Sequence, residues 1–191
     1  MNAAEKMTAI SIDEYLKGEF ASELRHEFVD GMVYARVGGT RNHSFVISRL
    51  IATLLRQLDG SPCVAFGSDF KIRIQQRKRT FFYYPDVSVF CDPGSGNDIF
   101  GDNPVVIIEV LSDSTRRTDE GEKRDNYLSI PTLQTYILME QDEAKAVVYQ
   151  RDSSGEFDAA VYQREGAKIP LVAIQAELEL DEIYRGIIDA G

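Results

Sequence analysis

Two acids stand out because of the residues around them. Val105-Val106-Ile107-Ile108-Glu109-Val110-Leu111 is an apolar, β-branched run of the kind that forms a buried strand, with one carboxylate in its middle. A buried carboxylate is costly unless it is paired, so the fold must supply a partner. Asp86 stands at the head of a second such run, Pro85-Asp86-Val87-Ser88-Val89-Phe90. Two acids on neighbouring strands can hold Mg²⁺ or Mn²⁺, hard cations that accept a few carboxylate oxygens and keep several waters. Such a cation polarises a phosphate and lowers the pKa of a bound water. A lysine nearby would stabilise the negative charge that develops.

Strand parity gives a first test of position. Side chains alternate across a sheet, so Val105, Ile107, Glu109 and Leu111 share one face. Val106, Ile108 and Val110 form the other, wholly apolar face. If that apolar face packs on a helix, Glu109 points the opposite way, toward a groove.

The helix is legible upstream. Phe45, Val46, Ile47, Leu50, Ile51, Leu54, Leu55 and Leu58 recur at helical spacing from about Asn42, and Gly60 is a stop. Ser11-Ile12-Asp13-Glu14 has capping-box spacing and opens a short helix through Tyr15 and Leu16. Residues 24–29 and 32–37 read as two strands joined by a tight turn at Asp30-Gly31. Further strands are expected over 63–66, 70–74, 80–84, 87–90, 135–139, 146–150 and 157–162. Residues 92–103, rich in Gly, Asp and Asn, form a loop. A helix is expected near 119–128, limited by Pro131, and another near 181–187. This order predicts an α/β fold with a mixed β-sheet flanked by helices, in a single domain over residues 1–191.

Composition narrows the function classes. A hydrophobic share of 43% and a charged share of 27% are those of an ordinary globular protein. No apolar run approaches the roughly 20 residues that span a bilayer, and the polar residues Met1 to Met7 lack a signal-peptide core. A cytoplasmic protein without a membrane partner is expected. Cys63 and Cys91, far apart in sequence, read as buried free thiols. With only His26 and His43 present, a histidine-rich metal centre is excluded. The net charge of −10 argues against a polyanionic partner, but residues 131–191 hold 5 basic and 12 acidic groups and so carry most of the excess. The middle of the chain has two basic clusters: Lys71, Arg73, Arg77, Lys78 and Arg79, then Arg116, Arg117, Lys123 and Arg124. They could track phosphates or be solvated faces, and charge alone favours the second.

The combination of motifs resembles a known family. The pattern is Glu27 with Asp30-Gly31, His43 at a helix start, Pro85-Asp86-Val87-Ser88-Val89, Ile108-Glu109-Val110-Leu111-Ser112, Asp119…Lys123…Tyr127, and Tyr136 in the next strand. It covers nearly the whole chain and is similar to the Uma-type restriction endonuclease family of the PD-(D/E)XK nuclease superfamily. The resemblance implies a restriction-endonuclease-like core and metal-dependent hydrolysis of phosphodiester bonds in nucleic acid, with DNA as the expected partner. It implies Asp86 and Glu109 as metal ligands, Mg²⁺ or Mn²⁺ as cofactor, and a homodimer able to cut two strands. Where the superfamily has lysine two residues after the Glu, this chain has Leu111; Lys123 is the expected substitute.

Each residue also has a plainer reading. Asp86 could cap a strand entrance, and Glu109 could form a core salt bridge. Glu27 is either a third acid of the site or an exposed strand residue. Asp119 and Lys123 could be a surface pair of little worth. His43 fits a helix-terminus or packing histidine, and Tyr127 and Tyr136 fit core aromatics with satisfied hydroxyls. Ser112 fits a turn after the strand. The functional alternative to an enzyme is a non-catalytic nucleic-acid-binding or assembly module on the same scaffold.

Overall fold

The computed structural model describes residues 9–187, apart from Val37 and Pro93. The polar start Met1 to Met7 and the end of the strand expected to reach Val37 therefore include residues outside that range.

Helix α1 (Ile12–Ala21) begins at the Ser11/Glu14 capping box, where the Ser11 N–H donates to Glu14 Oε2 (2.8 Å) and the Glu14 N–H to Ser11 Oγ (3.2 Å). Strands β1 (His26–Val29) and β2 (Met32–Ala35) follow as a hairpin. Asp30 and Gly31 both have positive φ, 48° and 98°, as a two-residue turn of this twist requires. A side chain at Gly31 would also meet Ala9 Cβ at 2.8 Å. Helix α2 (Arg41–Gln57) is capped by Thr40, whose hydroxyl accepts the His43 N–H.

Strands β3 (Val64–Gly67), β4 (Lys71–Gln76), β5 (Arg79–Tyr83), β6 (Val87–Phe90), the two-residue β7 (Phe100–Gly101) and β8 (Val106–Leu111) come next. Helix α3 is composite: an α-turn Arg116–Thr118, a π-helical stretch Asp119–Lys123, and an α-helical end Arg124–Leu128. Strands β9 (Thr135–Glu140), β10 (Ala146–Arg151) and β11 (Phe157–Tyr162) form a meander. A hairpin of β12 (Lys168–Leu171) and β13 (Ala176–Glu179) leads into a short α4 (Leu180–Tyr184).

The expected fold class holds, with a more divided sheet than the pattern predicted. One sheet has the order β2-β1-β5-β4-β7, and a second has β11-β10-β9-β8-β6-β3. Both contain one parallel pair, β4 with β7 and β8 with β9, among antiparallel neighbours. The β12–β13 hairpin escaped the sequence because each strand is short, with only two inward apolar residues: Ile169 and Leu171, then Ala176 and Leu178.

Val46, Leu50 and Leu54 of α2 are fully buried with Val106, Ile108 and Val110 of β8. Ile107 and Leu111 pack into a different cluster with Tyr127 and Tyr136. The parity of β8 is therefore as the alternation predicted, with Glu109 on the face away from α2. The expectation of free thiols is overturned: Cys63 and Cys91 are joined by a disulfide. The β3–β6 register explains it, since Val64 pairs with Phe90 and the next step brings Cys63 opposite Cys91. Sequence distance hid a cross-strand neighbour.

The α2–β8 contact carries a stability prediction. Leu50→Ala empties a fully buried site and is expected to cost about 2–5 kcal/mol, read as a lower urea midpoint at unchanged slope. A loss under about 1 kcal/mol would mean that α2 does not close this core.

Candidate active site

The chain passes from one large sheet to the other at Tyr84-Pro85-Asp86, between β5 and β6. Proline favours an extended residue before it and contributes no N–H, which suits a strand-to-strand crossing at which the ladders end. Beyond that crossing β6 and β8 run antiparallel with Val87 opposite Ile108. One step further in the same register, Asp86 stands across from Glu109.

The two carboxylates are tied to each other's strands. The Asp86 N–H donates to Glu109 Oε2 (3.1 Å), and the Val110 N–H donates to Asp86 Oδ2 (2.9 Å). Both acids are buried, at 3% and 2% exposure. Each also has a charged neighbour. Asp86 Oδ1 lies 3.1 Å from an Arg36 guanidinium nitrogen, and Asp86 Oδ2 lies 3.2 Å from His43 Nε2. Glu109 Oε1 accepts from the Tyr127 hydroxyl (2.8 Å) and from Lys123 Nζ (3.4 Å).

Lys123 is the hub of the acids. Its ammonium sits 2.9 Å from Glu27 Oε1, 3.4 Å from Glu109 Oε1 and 3.4 Å from Asp119 Oδ1. The π-helical stretch aids this arrangement, because a wider turn brings residues four apart nearly into line on one face. Lys123 and Asp119 are buried rather than the exposed pair that spacing alone allowed. Glu27, on β1, is half-buried against Lys123 rather than exposed. Glu27, Asp86, Glu109 and Lys123 all line one cleft of about 840 Å³.

The remaining motif residues fall around this centre. The Tyr136 hydroxyl donates to the Asp119 carbonyl (2.9 Å), and both Tyr127 and Tyr136 are core aromatics, as expected. Ser112 ends β8 in a hydroxyl cluster with Ser114 and Thr115. His43 does more than pack, since its ring reaches Asp86. Leu111, where the resemblance implied a lysine, is sealed in the core. Arg36 was missed altogether. It follows a hairpin strand, and nothing in its spacing distinguishes it from a solvated arginine.

Burial raises the cost of every charge here, and the partners decide each outcome. Burial pushes Asp86 up, but the His43 bond and charge, the Val110 N–H and Arg36 hold its carboxyl below the ordinary value. Glu109 is pushed up to about 8 by burial; Lys123 opposes this, and Asp119, Asp86 and Glu27 add to it. His43 is raised, chiefly by its bond to Asp86. Burial lowers Lys123, yet Glu109, Glu27 and Asp119 outweigh it and keep the ammonium charged.

Carboxylate oxygens are the donor type that a hard divalent cation takes. Asp86 and Glu109 offer oxygens from adjacent strands at the wall of an open cleft. Five carboxylates line that cleft, Glu27, Asp86, Glu109, Asp119 and Glu122, against three permanent cations, Arg36, Arg117 and Lys123, with His43 beside them. Asp119 Oδ1 is buried without a hydrogen bond. Among the described residues no three His, Cys, Asp or Glu side chains form a complete metal cage. A site of the Mg²⁺ type requires only one or two carboxylates plus water and phosphate oxygens.

Comparison with known proteins places the chain. Residues 12–182 match the family described as "Uma2: Putative restriction endonuclease", and the chain belongs to that family. One uncharacterized protein of Synechocystis sp. strain PCC 6803 is 35% identical over 179 residues, covering 93% of each chain. A second from the same organism is 28% identical, over 82% of this chain and 89% of its own. A crystal structure from Anabaena variabilis, described as "a putative nuclease belonging to DUF820", aligns with a TM-score of 0.70 at 20% identity. It covers 92% of this chain and 97% of its own, and it supports the nuclease-like fold.

The shared ammonium makes a prediction. Lys123→Met leaves the buried Glu109 and Asp119 and the half-buried Glu27 without their common cation and is expected to destabilise the metal-free protein by about 3–5 kcal/mol in chemical unfolding. A change within about 0.5 kcal/mol would show that the acids do not depend on Lys123.

Proposed function

We propose that the protein is a Mg²⁺- or Mn²⁺-dependent nuclease that hydrolyses phosphodiester bonds, with DNA as substrate. One observation carries the reading: Asp86 and Glu109 stand across one strand pair at an open cleft, with a buried ammonium 3.4 Å from Glu109. Asp86 and Glu109 would hold the cation, which supplies Lewis-acid activation of the phosphate and of a bound water.

The chain's own groups take definite parts. Lys123 stays protonated, so it serves as a fixed positive charge for the phosphate and not as a base. Glu27 holds that ammonium from the opposite sheet and can reach the cation through water. Arg36 and His43 fix the Asp86 carboxylate, and Tyr127 fixes Glu109. A lysine carried on α3 replaces one on β8 because the chemistry requires a charge at a point in space. A homodimer would present two such sites to a duplex, and a cytoplasmic location would give access to DNA. Among the described residues no helix is long and apolar enough to cross a membrane.

A second reading has its own observation. Both oxygens of Asp86 already have partners, Arg36 on one and His43 with the Val110 N–H on the other. An acid so neutralised suits a non-catalytic nucleic-acid-binding or assembly module. Calorimetry with Mn²⁺ separates the two readings: heat of binding that is lost in Glu109→Gln supports the enzyme, and absence of binding at millimolar metal supports the module.

The enzymatic test is direct. Plasmid DNA is expected to be cut with Mg²⁺ and left intact with EDTA. Lys123→Ala is expected to slow cutting about a hundredfold or more, with Asp86→Ala and Glu109→Ala at least as damaging. Cutting that survives both carboxylate substitutions would overturn the assignment.

A further inference from the structure

The basic residues sort themselves by what they touch. In the cleft, Arg36 is committed to Asp86, and Lys123 to Glu27, Glu109 and Asp119. Arg117 lines the same cleft, is exposed, and has no ion-pair or hydrogen-bond partner among the described residues. Ser114 and Thr115 line the cleft beside it.

The first basic cluster divides the same way. Lys71 is buried against the Tyr84 hydroxyl, and Arg73 forms a two-bond pair with Asp102. That leaves Arg77, Lys78 and Arg79 at the tip of the β4–β5 hairpin, all exposed and without an acidic partner among the described residues. This tip is not remote from the site. Gln76, beside it, donates to Asn126 (3.1 Å) and Ser129 (2.8 Å) at the C-terminal end of α3. Asn126 in turn donates to the hydroxyl of Tyr83, which lines the cleft (2.7 Å). Arg79 lies over the Phe81 ring at 5.4 Å, and Phe81 stacks on Tyr83.

Helix α3 thus has Lys123 near its middle, Arg117 in its first turn, and the hairpin tip beside its far end. At about 1.5 Å per residue the helix is about 20 Å long. Duplex DNA presents one charge per about 1.7 Å of axis, so a wall of this length faces several base pairs' worth of phosphates. A mononucleotide or a free phosphate could not meet both ends.

Resting on the nuclease reading, we propose that Arg117 and the Arg77-Lys78-Arg79 hairpin tip are two phosphate-contacting regions for a polymeric duplex lying along α3, one on each side of Lys123, with Arg117 taking one phosphate and Arg77 and Lys78 one each. The central cations are consumed in holding the acids, and the outlying ones are left for the substrate backbone. The contacts are to phosphates and carry no base preference.

Binding of a labelled duplex oligonucleotide in EDTA tests this without any cleavage. Each phosphate contact contributes about 0.9 to the slope of log K against log salt. Arg117→Gln is expected to lower that slope by about 0.9, and Arg77→Gln with Lys78→Gln by about 1.8, while Arg117→Lys retains it. Slopes unchanged in these variants would overturn the track and leave the nuclease reading standing if the plasmid is still cut. Slopes that fall as expected in a protein that cuts nothing with any metal would support the track and defeat the nuclease reading. Wild-type protein that binds no duplex at low salt would overturn the track. So would loss of binding to phosphatidylserine vesicles with duplex binding unchanged, which would assign the cations to a lipid surface.

Discussion

The structure depends on one electrostatic problem and its local solution. Four carboxylates, Glu27, Asp86, Glu109 and Asp119, are drawn together where two sheets meet, in surroundings that penalise charge. Lys123 answers three of them, while Arg36 and His43 answer the fourth. Backbone N–H groups at the ends of β6 and β8 complete the carboxylate bonding. Each partner comes from a different element. Closing the fold and assembling the site are therefore the same event.

The arrangement differs from an isolated core salt bridge. A salt bridge buried for stability tends to match its charges, and well-packed apolar residues often do as well in its place. Here acid exceeds permanent base, one carboxylate oxygen of Asp119 lacks a hydrogen bond, and the cluster opens onto a cleft. The helix that carries Lys123 departs from α-helical geometry over the residues that face the acids. Such departures recur at functional sites, where local regularity is given up for the position of a side chain.

Much of this was legible in the chain. The β8 run announced a buried strand, its alternation separated the α2 face from the Glu109 face, and the helical spacing of Val46, Leu50 and Leu54 supplied the cover for the first. The Asp30-Gly31 turn and the Ser11/Glu14 box were equally local and are found as expected. What failed were statements about distance. Cys63 and Cys91 were read as separate because a sequence does not display strand register. Lys71 and Arg73 read as members of a basic cluster on a solvated face or a phosphate track, yet the Tyr84 hydroxyl and Asp102 claim them. Arg36 carried no mark at all.

By itself the sequence determined which residues could be buried, which strand faces would be apolar, and that two acids would sit on core strands. Those properties follow from side-chain chemistry and from periods of two and 3.6, and both are local. Only the tertiary structure decided which charge answers which. Ion pairing in the cluster depends on separations of a few ångströms between groups up to 96 residues apart, as with Glu27 and Lys123. Those separations are set by how the sheets cross at Pro85 and how α3 lies over them, and no local pattern encodes either.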